Sequence, residues 1–247
     1  MNRYKCKVSY DGSGFNGYQV QPNQRTIQAV IESVLSRIHK GRQIRIHASG
    51  RTDTGVHAEG QVFHFDSEYE IKPEQWKKAL NAQIPKDIYI KSVEKVDQNF
   101  HARFDVIRKE YRYFIWNEKD ENVFSRNLHY HFPHELNIEK MEEALQYLIG
   151  THDFSSFCAS NTDIKDKVRT IYKGTITKEE RGIVISLIGS GFLYNMVRII
   201  VGTLIEVGQG KRDVISVKHA LEARDRGMSG KTSPPQGLFL WNVEYNN

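Results

Sequence analysis

The chain has 247 residues and a formal net charge of +5, long enough to bury a substantial core and longer than a usual single domain. Charged residues at 26% and aromatics at 11% exclude long disorder, and the basic balance leans toward polyanionic partners. The only cysteines are Cys6 and Cys158, without a CxxC spacing, which excludes a disulfide framework and a thiolate zinc site and fits a reducing, cytoplasmic setting.

The opening "MNRYKCKVSYDG" lacks the apolar run of a signal peptide and alternates as a strand that stops at Asp11 and Gly12. "GSGFNG" follows and matches GxGxxG. Pro22 and Asn23 intervene before the next helix, so a dinucleotide site is disfavoured against a tight turn exposing Tyr18 or Gln19. Thr26 reads as an N-cap for a helix that places Ile27, Val30, Ile31, Val34, Leu35 and Ile38 on one face and ends at Gly41. Arg25, Arg37, Lys40, Arg42 and Arg45 around it form a candidate phosphate-tracking stripe or a solvated face.

"RQIRIHAS" and "GQVFHFD" read as strands bracketing the loop "GRTDTG". Its neighbours are small or hydroxylic, and Gly50 and Gly55 permit unusual backbone angles, so Asp53 is held in a fixed pose. An Asx-turn that caps its own loop is the plain alternative. Crowding of Arg51, Thr52, Thr54 and His57 at the same tip favours function.

"KPEQWKKALNAQI" predicts a short helix with Pro73 in its first turn, and "DIYIKSVEKV" a strand. In "KEYRYFIW", Tyr111, Tyr113 and Ile115 alternate on one strand face. His129, His131 and His134 in "HYHFPH" lack a carboxylate or thiolate at ligand spacing. They read as a solvated cluster near an acid rather than a metal site.

"NIEKMEEALQYLIG" predicts an amphipathic helix, "VRTIYKGTITK" and "GIVISLIGS" a hairpin, and "GLFLWNVEY" a closing strand after two further helices. The most apolar run, "GFLYNMVRIIVGTLIEVGQG", is interrupted by Arg198 and Glu206 and is short for a membrane span. Apolar residues surround Arg198 on nearly every side, so its guanidinium needs a partner: a local acid such as Glu206, the solvent, or an acid or phosphate from elsewhere. Tyr194, Asn195 and Arg198 lie within one turn and can face the same way.

"YDGSGFNGYQVQP", "GRTDTGVHAEGQVFHF", "FHARFD", "KEYRYFIW" and "GFLYNMVRIIVGTLIEVGQGK" together resemble, in the same order, the tRNA pseudouridine synthase A family. The resemblance implies isomerisation of uridine at positions 38–40 of the tRNA anticodon stem-loop. It makes Asp53 the catalytic carboxylate and Arg198 its cationic partner, which lowers the acid's pKa by roughly one to three units. Tyr111 then stacks on the flipped uracil, Arg51 and Arg103 handle the displaced nucleotide and the backbone, and Leu238 lines the pocket beside Gly237. No cofactor or metal is required of this chemistry. A homodimer acting on tRNA without a membrane is implied.

The expected fold is α+β with two similar halves, residues 1–106 and 107–247, each a mainly antiparallel sheet with helices on one face, the sheets meeting around a basic cleft. Competing readings are an RNA-binding module or tRNA chaperone without chemistry, and a pseudouridine synthase acting on ribosomal RNA.

Overall fold

A computed structural model describes every residue except Asp163, Arg181 and Asn247. The chain folds into two compact units, Met1–Ile107 with Phe239–Asn247, and Arg108–Leu238. Among the described residues the architecture is α+β, with mostly antiparallel strand pairs and five α-helices.

In the first unit, β1 (Asn2–Tyr10) pairs antiparallel with β3 (His57–Ser67) on one side and with β4 (Ile88–Val96) on the other. The short β2 (Ile46–Ala48) lies against β3. Alternation sends Tyr4, Cys6, Val8 and Tyr10 of β1 into the core, as a half-buried strand requires. Helix α1 (Ile27–Ile38) starts where Thr26 Oγ1 accepts from the Ala29 amide, and it buries Ile27, Ile31, Val34 and Leu35. Helix α2 (Pro73–Asn81) ends a turn earlier than its sequence pattern suggests. It drives Trp76 edge-on against the stacked pair of Tyr4 and Phe65, at ring-centroid distances of 5.5 Å and 5.1 Å.

The closing strand, β10 (Leu238–Tyr245), corrects the expected grouping of residues 107–247. It runs parallel to β3, with Phe239 opposite His57 and Leu240 opposite Ala58, so its residues from Phe239 onward belong to the first unit. Gly60 makes this possible, since a Cβ there would sit 2.5 Å from the Trp241 carbonyl oxygen.

The second unit is built on β5 (Val106–Trp116), β9 (Gly182–Gly189), β8 (Val168–Glu179) and β7 (Gly150–Asp153), each antiparallel to the next, while β6 (Tyr130–His131) lies parallel to β5. Neither β6 nor β7 stands out in the sequence, both being too short to show a period. Helix α3 (Ile138–Gln146) packs on β8, where Gly174 faces Leu145. Helix α4 (Met196–Gly208) is buried at every position except Arg198 and Glu206. Helix α5 (Ser216–Ala223) buries Val217 and Ala220. Among the described residues, no helix is long and apolar enough to cross a membrane.

Candidate active site

The loop carrying Asp53 connects β2 to β3 and is held from below by the "GSGFNG" turn. Gly17, at φ +79°, lies so close to the loop that a Cβ would be 2.9 Å from the Thr52 carbonyl oxygen, and a Cβ on Gly12 would be 2.0 Å from that of Val56. Gly12 and Gly17 therefore serve close backbone approach, not a pyrophosphate. Tyr18 is buried, correcting the expectation of an exposed ring, while Gln19 is exposed. The Tyr18 amide donates to the Thr52 carbonyl at 3.0 Å, so Tyr18 ties turn to loop.

Side chains complete the clamp. Tyr10 Oη and Thr52 Oγ1 are hydrogen-bonded at 2.8 Å in the interior, and burial pushes the Tyr10 phenol well above its ordinary pKa. Gln61 donates from Nε2 to the Gly50 carbonyl at 2.9 Å and accepts from Ser49 Oγ at 2.5 Å. His57, buried against the Phe239 ring, accepts from the Gly12 amide at Nδ1 (3.0 Å). The Val56 amide donates to the Asp53 carbonyl at 3.1 Å, closing a turn whose Gly55 has φ +76°. Asp53 is half-buried and Arg51 exposed at its rim.

Tyr10 and Gln61 escaped the sequence reading. Gln61 carried a signal, a polar residue in a buried apolar strand, and such residues are retained where they satisfy something.

Arg103 lies elsewhere in this unit, exposed in the turn 101–105 after β4. The basic stripe is partly neutralised: Arg25 pairs with Asp87 at 2.8 Å and Arg42 with Glu68. Lys40 and Arg45 are exposed.

In the second unit Tyr111 projects inward from β5, 9% exposed, with Phe192 edge-on at 5.1 Å. Arg198 emerges from α4 under a backbone strap, residues 230–233. Gly202 admits the strap, because a Cβ there would lie 1.8 Å from the Lys231 carbonyl oxygen. Thr203 Oγ1 accepts from the Gly230 amide at 2.9 Å. The strap's Ser233 then brackets the arginine, its amide donating to the Arg198 carbonyl at 3.1 Å and its own carbonyl accepting from Arg198 Nε at 2.7 Å. Arg198 Nη1 donates to Asn195 Oδ1 at 2.8 Å, and Asn195, at the position before α4, adopts the left-handed region at φ 60°.

Glu206 is not the local acid for Arg198; it binds Arg212 Nε at 2.5 Å and the Lys231 amide at 3.0 Å. Leu238 is buried, and Gly237 admits the Tyr113 ring, 2.7 Å from where a Cβ would stand.

The histidine motif has the acidic partner expected of it. Glu121 meets His129 Nε2 at 2.9 Å and His131 Nδ1 at 3.3 Å, and the hydrogen bond from His129 holds its carboxyl below the usual range. His129 is buried against Trp116 rather than solvated. A nearby open cavity of about 700 Å³ is lined by Glu118, Asp120, Glu121 and Glu180, the wrong charge for a polyanion.

Comparison with known proteins gives this arrangement its class. The family described as tRNA pseudouridine synthase matches residues 7–105 and 144–246, which include Asp53, Arg103 and Arg198. The chain belongs to that family. Proteins named tRNA pseudouridine synthase A are 56% identical in Geobacillus sp. strain WCH70 and 54% in Bacillus subtilis strain 168, covering 99% of this chain in both cases and 99% and 100% of those proteins. That of Anoxybacillus flavithermus is 52% identical over the full length of both chains.

Proposed function

We propose that this protein is an isomerase that converts uridine to pseudouridine in tRNA, acting on the anticodon arm at positions 38–40 as a cytoplasmic homodimer. The observation that carries this reading is the clamped loop with Asp53 at its tip in a chain of this family. Pseudouridine formation breaks the bond between N1 and C1′, turns the uracil in place and rejoins it through C5. A carboxylate serves by attacking a carbon or by removing a ribose proton, and Asp53 is assigned that role.

Reaching the carboxylate takes the uridine out of its stack at a cost of a few kcal/mol, which an aromatic platform offsets. Tyr111 is assigned as that platform, with Leu238 as an apolar contact. Arg51 and Arg103 bind the displaced nucleotide and phosphates, and Arg198 supplies the cation that keeps Asp53 ionised. The domain roles follow: the first unit carries the acid, the second the base platform and the arginine helix.

The test is Asp53→Asn, assayed by mapping pseudouridine in a tRNA transcript and by measuring tRNA affinity. Lost isomerisation with retained binding is expected. Turnover at the wild-type rate would leave an RNA-binding role without Asp53 chemistry. Mapping ribosomal RNA from a deletion strain distinguishes the remaining substrate class.

A further inference from the structure

Phe104 is 74% exposed, and exposed aromatics need no explanation when they stand singly on a mobile surface. This one does not. Each backbone amide from His101 to Asp105 is bonded. The His101 amide donates to Asp105 Oδ2 (2.7 Å), that of Ala102 to His64 Nδ1 (3.1 Å), and that of Arg103 to His101 Nδ1 (3.1 Å). The Phe104 and Asp105 amides both donate to the His101 carbonyl at 3.1 Å. Tyr245 Oη, from β10, donates to the Ala102 carbonyl at 2.7 Å.

The ring is backed as firmly as the chain. His101 stacks on Phe104 with centroids 4.2 Å apart, and His64 meets His101 edge-on at 4.8 Å. His47 in turn stacks on His64 at 5.1 Å. Burial, with help from Arg3, pushes the His64 pKa down to about 4, and burial lowers that of His101 as well, so these two rings are uncharged at neutral pH. An immobilised phenyl ring with most of its surface in water has lost its rotamer entropy already, which is what a stacking platform needs.

Charge names the occupant. The exposed Arg103 guanidinium lies 6.0 Å from the ring centroid, pairing a cation for phosphate with a π-face for a base. We propose that Phe104 forms a second RNA contact, separate from the platform assigned to the reacting uracil, in which an unpaired nucleobase of the tRNA stacks on Phe104 and the phosphate-binding role assigned to Arg103 is to hold that nucleotide's phosphate. The inference rests on tRNA being the substrate.

The experiment uses the full chain and tRNA transcripts carrying 2-aminopurine at single loop positions other than the target uridine. Wild-type protein should alter the fluorescence at one position. Phe104→Ala should abolish that signal, weaken tRNA binding about tenfold and raise KM with kcat little changed, and Phe104→Trp should restore all three. Arg103→Ala should lower the salt dependence of binding by about one unit of slope. Phe104→Ala binding as wild type does, or full rescue by Phe104→Leu, would overturn the stacking contact. Isomerisation by the wild-type protein on the same transcripts is scored separately, so failure of the substrate reading is distinguishable from failure of the platform.

Discussion

The Asp53 loop and the Arg198 helix hold their charged groups by opposite means. Around Asp53 the fixing groups are polar, Tyr10, Gln61 and backbone amides, with glycines admitting a second turn beneath. Around Arg198 the fixing force is burial of α4, with hydrogen bonds to Asn195 and to a strap threaded over Gly202. A polar clamp fixes direction at little cost in stability when cut, whereas a packed helix couples its arginine to the integrity of the unit.

That contrast can be broken most severely at Gly202. Gly202→Ala drives a Cβ into the Lys231 carbonyl, backbone that cannot swing aside, and should cost ~3 kcal/mol in chemical denaturation while also lowering turnover. Stability and activity should fall together.

Acid acts next, on the polar side. His64 is held neutral by burial, so its folded pKa of about 4 lies below the unfolded value of 6.5. The unfolded chain therefore binds the proton first. The stability His64 confers is complete above pH ~6.5 and drains away as pH falls toward ~4, by on the order of 2 kcal/mol. Denaturation midpoints across that window measure it, and His64→Gln should flatten the slope.

Tyr10→Phe sharpens the comparison by separating stability from turnover. Losing the hydroxyl that meets Thr52 should cost about 1 kcal/mol yet lower kcat about tenfold, because the loop keeps its fold and loses its aim. Equal and small losses of both would show that the clamp is merely structural. Smallest is Thr26→Ala, which removes a 3.4 Å capping bond at the start of α1. It should cost about 0.5 kcal/mol in thermal unfolding with unchanged kcat.

Periodic and local features were legible in the sequence. Thr26 and the α1 stripe, the alternation of Tyr111, Tyr113 and Ile115, and the apolar girth of α4 each follow from a pattern a few residues long. The rigidity of the Asp53 loop was visible in its glycines. What held it was not, because Tyr10 and Gln61 act across distances in sequence of 42 and 11 residues, beyond any local period. The apolar pattern of α4 gives Gly202 no role; the strap does. The parallel placement of β10 on β3 was hidden for the same reason, since strand patterns name a face but not a neighbour.

The pairing of β10 with β3 has a bearing on biogenesis. Residues Arg108–Leu238 are translated between the two pieces of the first unit, so the unit whose synthesis begins earlier is finished later. Until Phe239 reaches His57 and Tyr245 reaches Ala102, the flank of β3 next to the Asp53 loop is an open edge on a nascent chain. The first unit is thereby completed only after the intervening unit has been translated.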